Sequence, residues 1–284
     1  MKKFRFKNDE LIFSGKGLIM GILNVTPDSF SDGGEFFSAD AAVSHAKKMR
    51  SDGVDIIDVG AMSTRPGSEP VSCDEEIRRL APVLKELSSI ENIIISVDTI
   101  NPETADYALT AGAHIINDVS GYFNPDMASV VKKHKAGWIM THTGAVASGS
   151  VVKYPDGVTV AVKDFFESFI ADCEMYGINK EYICIDPGFG FAKTTDDNIE
   201  LLQNLEKLVR PDVAFLTALS RKRFIGEITE TPDAGERLAG TLTADIIALM
   251  KGTDMLRVHD VKETKQSIAI YNSIYNNKGT TIYG

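Results

Sequence analysis

Several residues with useful chemistry stand where short β-rich runs end: Asp98 in "SVDT", Asn117 in "INDVSG" and Asp186 in "IDPGFGF". A carboxylate and an amide at neighbouring strand ends can make paired hydrogen bonds to a planar heterocycle that offers adjacent N–H donors and ring acceptors, and Asp186 would add a third contact. Taken singly, each is ordinarily a cap or turn former at a βα junction; three facing one mouth make a site. A second group is cationic: Arg65 in "STRPG", Arg221 and Lys222 in "SRKR", and Arg257 with His259 in "RVHD". Guanidinium forks match phosphate oxygens bidentately, so this group suits a phosphorylated substrate. Lys222 and Arg257 are its strongest members, Arg221 reads as a helper near the anion, and Arg223 as a solvated neighbour.

Something must bring these residues together. Apolar, β-branched runs at 18–25, 55–60, 92–99, 114–120, 138–142, 182–188, 213–220 and 255–261 alternate with longer helical patterns from end to end. That alternation predicts repeated βα units and a parallel sheet. Helix starts are marked by Ser38 and Asp40, Asp74, Asn101 with Pro102, and Asp126; stops are marked by Gly53, Gly112, Gly137, Gly177 and Gly252. Eight such units in 284 residues predict a single-domain (β/α)₈ barrel over 1–284, with a core at about 18–278 and an active site at the carboxyl ends of the strands. The polar residues at those ends are Asn24, Asp58, Asp98, Asn117, His142, Asp186, Ser220 with Lys222, and Arg257 with His259. A doubly wound open sheet is the alternative, but it would bring only the ends near its switch point into a site. Strands 7 and 8 of a barrel commonly build a phosphate site, which agrees with cations at both. The loops "NVTPDSFSDGG" and "MSTRPGSEP" are rich in turn formers and are expected to fold over the mouth.

The formal charge of -10 argues against a general nucleic-acid or anionic-membrane binder, so any anion site must be local. Cys73, Cys173 and Cys184 are far apart and form no CxxC pair, which argues against a disulfide scaffold. No run of 18 apolar residues occurs, and the expectation is a soluble cytoplasmic protein.

In order along the chain, "GILNVTPDSFSDGG", "STRPG", "SVDT", "INDVSG", "DPGFGF.KT", "LSRK.FIG" and "RVHDV" resemble the dihydropteroate synthase family from about Met20 to Val261. The resemblance implies a (β/α)₈ barrel, usually a homodimer, that joins dihydropterin pyrophosphate to p-aminobenzoate with Mg²⁺ as cofactor. Carried across, it implies a pterin set of Asp98, Asn117, Asp186 and Lys222, with Met140 and Phe189 as apolar contacts. It implies a pyrophosphate set of Asn24, Arg65, Arg257 and His259, with Asn24 also a Mg²⁺ ligand. Thr64, Pro66, Phe30, Phe189 and Ser220 fall where the aminobenzoate site is assembled, and Lys222, Asp98 and Arg257 carry the catalysis. The chain departs from the family pattern at Met62, where an acidic residue is usual, at Ala192 in "GFGFAKT", and in "THTGAVASGSVVKYPDG" after strand 5, beside the pterin pocket that the resemblance implies. Two other readings compete: a pterin-binding methyltransferase, for which the phosphate-binding cations would have no purpose, and a non-catalytic pterin- or partner-binding paralogue. A Schiff-base role for Lys222 is a minor alternative.

Overall fold

The computed structural model describes residues 1–25, 39–61, 71–144 and 152–275. It opens with an antiparallel hairpin, β1 (Lys3–Phe6) and β2 (Asp9–Ile12). The eight apolar runs then form β3 (Leu18–Asn24), β4 (Ile56–Gly60), β5 (Ile94–Asp98), β6 (Ile115–Asp118), β7 (Gly137–Thr141), β8 (Ile183–Asp186), β9 (Ala214–Thr217) and β10 (Met255–Val258). All pair in parallel in chain order, and β10 pairs with both β9 and β3, closing the barrel. Around it stand α1 (Ala39–Asp52), α2 (Cys73–Leu87), α3 (Pro102–Thr110), α4 (Pro125–His134), α5 (Val158–Met175), α6 (Thr195–Gln203), α7 (Arg223–Ile228), α8 (Leu238–Met250) and α9 (Val261–Tyr275).

Strands covered on both faces read as continuous apolar runs, and here the two faces separate by residue parity. Ile57, Val59, Val97, Ile116, Trp138, Ile185 and Leu256 point outward into the layer between sheet and helices. Met20, Ile56, Ile115, Ile139, Cys184, Leu216 and Met255 point inward, and Phe4, Phe6 and Phe13 of the N-terminal hairpin segment pack against them. The barrel interior is therefore mostly apolar and plugged at its amino end; its polar residues gather at the carboxyl end, with Asp58 and Ser96 one step below the strand ends.

That hairpin is not among the elements expected from the sequence, although Phe4 and Phe6 alternating with Lys3 and Arg5 is the period of a half-buried strand. Its docking also explains Gly137, which is the first residue of β7 rather than a helix stop: a Cβ there would lie 2.7 Å from Phe4 Cζ. The left-handed residue that ends α4 is Lys135, at φ 51°. At α2 the cap is Ser72, whose side chain accepts from the Glu75 N–H, while Asp74 lies in the first turn, where its charge favours the helix dipole.

Candidate active site

At the carboxyl end, the inward positions carry Asn24, Asp58, Asp98, Asn117, Thr141, Asp186 and Arg257 from seven different strands. Register places Asn24, Gly60, Asp98 and Asn117 in one row around the barrel. Arg257 reaches across from β10, its Nε 2.7 Å from Asp58 Oδ2 and its Nη2 2.9 Å from Asp98 Oδ2. Asn117 Nδ2 donates to the same Asp58 oxygen at 3.0 Å. With its amide nitrogen so held, Asn117 leaves its carbonyl oxygen as a buried atom with no partner among the described residues. Buried polar atoms are nearly always satisfied, so Oδ1 is poised to accept a donor from a ligand. Asp58 is fully buried and is the residue that ties Arg257 to Asn117.

Burial pushes the Asp98 carboxyl up to about 7, against the pull of Arg257 and with the Asp58, Glu76 and Asp118 charges adding to the rise. Asp186 is also raised by burial; its Oδ1 accepts the Gly188 N–H at 2.8 Å, which opposes the rise. Lys222, the residue just before α7, holds its Nζ 4.7 Å above the Phe191 ring. Burial lowers its ammonium to about 8, with Asp186 and Asp98 opposing and Arg257 reinforcing the shift. Beside it, Ser220 Oγ accepts the His259 backbone N–H at 3.2 Å and lies 3.0 Å from His259 Nδ1. Burial, with Arg221 and Arg257 adding to it, lowers His259 to about 4, so the ring is neutral. Ser220 Oγ and His259 Nδ1 share one hydrogen bond whose direction follows the ring tautomer, and Nε2 is the nitrogen left for a ligand. The mouth thus combines acceptors for a flat heterocycle on β5, β6 and β8 with donors for an anion on β10.

Residues 20–259 match the family described as Pterin binding enzyme. The chain belongs to that family. It is 42% identical over 274 residues to the dihydropteroate synthase of Bacillus subtilis, covering 96% of this chain and 94% of that one. Among solved structures, Xanthomonas albilineans dihydropteroate synthase with 4-aminobenzoic acid superposes with a TM-score of 0.86 at 40% identity, covering 91% of this chain and 93% of that chain. The same organism's enzyme in complex with 7,8-dihydropteroate gives a TM-score of 0.86 at 36% identity, with 96% and 98% coverage.

Of the residues that the family resemblance singles out, the structure brings Asn24, Asp98, Asn117, Asp186, Ser220, Lys222, Arg257 and His259 to one mouth. Two others need correction. Met140 has the outward parity of Trp138, paired in register with Asp118 and Ile185, and its exposure is 0%. It packs under the helices and offers no wall to a pterin; the inward residue of that strand is Thr141. Phe189 is likewise 0% exposed and stacks on Phe224 with centroids 6.1 Å apart, so it belongs to the core. Phe191, under Lys222, is the aromatic that reaches the site. Phe30, Thr64, Arg65 and Pro66, with Met62, lie outside the described residues.

The cationic row divides as its surroundings dictate. Arg221 is committed to Asp260 by two bonds, of 3.0 and 2.5 Å, while Arg223 is exposed and pairs with Glu227 at 3.2 Å. Residues that the sequence reading left out of the site include Asp58, Phe191 and Lys193; the first stood among the polar strand ends, where its inward parity was the available signal. The family departure at Ala192 falls on a left-handed residue, φ 45°, where a Cβ is disfavoured and Gly is not. Ala192→Gly is expected to stabilise the fold by about 1 kcal/mol, seen as a higher urea midpoint. A lower midpoint would contradict the strain.

Proposed function

We infer that the chain is a dihydropteroate synthase, a transferase of folate biosynthesis. It condenses 7,8-dihydropterin-6-ylmethyl diphosphate with p-aminobenzoate to give 7,8-dihydropteroate and pyrophosphate. The observation that carries this reading is the meeting of Asp98, Asn117 and Asp186 with Lys222, Arg257 and His259 at a single barrel mouth. A methyltransferase would have no use for that cationic half, and the relatives described above are synthases throughout.

The chemistry follows from the charges. As the C–O bond to pyrophosphate breaks, its electron pair leaves with the diphosphate and positive charge develops on the pterin methylene, spread into the ring. Asn117 Oδ1 and the Asp186 carboxylate accept ring N–H groups, Lys222 donates to the pterin carbonyl side, and the Asp98 carboxylate offsets the ring's charge. Arg257, His259 and Arg65 hold the departing diphosphate. The aminobenzoate nitrogen, placed by Ser220 with Thr64, Pro66 and Phe30, attacks the methylene and then loses its proton.

Mg²⁺ would neutralise the leaving diphosphate. Asn24 would hold it with a single amide oxygen, the remaining positions falling to diphosphate and water, as this ion prefers. A homodimer is supported by exposed Ile247 and Met250 on α8 and Ile270 and Ile274 on the adjoining α9. Unpaired thiols at Cys73, Cys173 and Cys184 favour the cytoplasm, and no helix among the described residues is long and apolar enough to cross a membrane.

The deciding experiment supplies purified protein with dihydropterin pyrophosphate, Mg²⁺ and p-aminobenzoate and measures pyrophosphate and dihydropteroate. Pterin binding without pyrophosphate release would leave only the non-catalytic reading. The pH dependence is a sharper check. Asp98 must be ionised to offset the cation, so kcat/KM should rise with pH through about 7 and fall again as Lys222 loses its proton at about 8. Lys222→Arg should remove the upper limb; a profile flat across both values would take these two groups out of the reaction.

A further inference from the structure

Lys193 belongs to none of the sets above, yet it is buried and its ammonium is the most heavily bonded group near the mouth. Its Nζ lies 3.0 Å from His142 Nδ1, 3.1 Å from the His142 carbonyl oxygen, 2.9 Å from that of Gly188 and 3.2 Å from that of Phe191. An ammonium has three protons and no acceptor, so these four acceptors saturate it. They come from two segments: the residue after β7, and the loop after β8. Burial, with the Lys193 charge adding to it, lowers His142 to about 3, so its ring is neutral and can accept at Nδ1.

What those segments carry gives the bonds their meaning. His142 N–H donates to the Asp186 carbonyl at 2.9 Å, and Gly188 N–H donates to the Asp186 carboxylate at 2.8 Å. Gly188 itself is left-handed, φ 68°, and a Cβ there would collide with the His142 carbonyl oxygen, so the loop is pressed tightly against β7. Phe191, whose carbonyl Lys193 also holds, is the ring beneath Lys222. Two pterin-facing groups, the Asp186 carboxylate and the Lys222 ammonium, therefore rest on backbone that one buried lysine fastens, even though burial lowers Lys193 to about 7, with Asp186 opposing the fall and Lys222 adding to it.

We propose that Lys193 is a positioning residue for the pterin subsite, acting through the Gly188 amide on Asp186 and through Phe191 on Lys222, with no contact to substrate. The proposal rests on the placement of the pterin between Asn117, Asp186 and Lys222. It distinguishes the two substrates: the pterin side depends on Lys193, whereas the aminobenzoate side, assigned above to Ser220, does not.

The test compares Lys193→Met, Lys193→Arg and, as a control on the pocket, Lys222→Ala in the intact enzyme, with KM measured for each substrate separately. Lys193→Met should raise KM for dihydropterin pyrophosphate about tenfold and leave KM for p-aminobenzoate within about twofold; Lys193→Arg, keeping the charge, should recover much of the loss. If Lys193→Met does not fold, Phe191→Leu, which keeps the backbone carbonyl and the Lys193 bonds but removes the ring, must show the same one-sided rise. Equal changes in both KM values, or a fall in kcat alone, would mean a general structural role and overturn the proposal. An unchanged pterin KM in Lys222→Ala would instead show that the pterin lies elsewhere, and the proposal would fall with that placement.

Discussion

Arg257→Ala is expected to lower kcat/KM by about 10³-fold and to destabilise the fold, the largest combined effect of any single change at the mouth. The guanidinium is bonded to two buried carboxylates, 2.7 Å from Asp58 and 2.9 Å from Asp98. Removing it leaves two buried acids without their cation, a loss of about 3–5 kcal/mol for a broken buried pair. It also removes a cation from the departing diphosphate. The two consequences separate experimentally. Adding Asp58→Asn to Arg257→Ala should recover part of the stability, read from the urea midpoint, but none of the turnover. Calorimetry should show pyrophosphate binding weakened at least tenfold, on the order of 1.4 kcal/mol. Undiminished pyrophosphate affinity would remove Arg257 from the anion site.

Lys222→Ala is expected to lower kcat/KM by about 10²–10³-fold with the fold intact. The contrast with Arg257 is physical: among the described residues Lys222 makes no ion pair shorter than 4 Å, and its charge is held among Asp186, Asp98 and the face of Phe191. Truncation therefore strands no single buried partner, and circular dichroism and thermal midpoint should change little. Lys222→Arg should not restore full activity, because a planar fork cannot replace a compact ammonium above an aromatic ring at 4.7 Å without displacing it. An unchanged rate in Lys222→Ala would take the residue out of the mechanism.

Much of this site was readable because a closed barrel imposes strong rules. Each strand ends at the mouth, so a polar residue closing an apolar run, such as Asp98 or Asn117, is placed without any knowledge of its neighbours. Parity was less readable. "WIMTH" is apolar on both faces, so nothing in that run says whether Met140 or Thr141 faces inward; the answer comes from register with β6 and β8, which is a tertiary fact. Phe189 and Phe191 pose the same difficulty in a loop, where two residues of one type differ only in which way the backbone turns them. Lys193 was hidden for another reason: a lysine in a glycine-rich loop is ordinarily solvated, and only packing shows that this one is buried. The N-terminal hairpin did carry a signal, but strands of four residues each give too short an alternation to stand out beside runs of five to eight.

The closure of the sheet has a consequence for how the enzyme is made. β3 must wait for β10, some 230 residues later, before its second edge is covered, with Met255 paired to Leu18 and Arg257 to Met20. During synthesis on the ribosome the incomplete sheet keeps an open edge, and such contacts of high sequence separation form slowly. The strand that finally seals the ring is also the one that delivers Arg257 between Asp58 and Asp98. Until then those two acids face each other without a cation, so a nascent chain can assemble seven-eighths of the wall and still lack the charge that activity requires. Completion of the fold and acquisition of function are one event, and a protein truncated before β10 should yield no partially active enzyme.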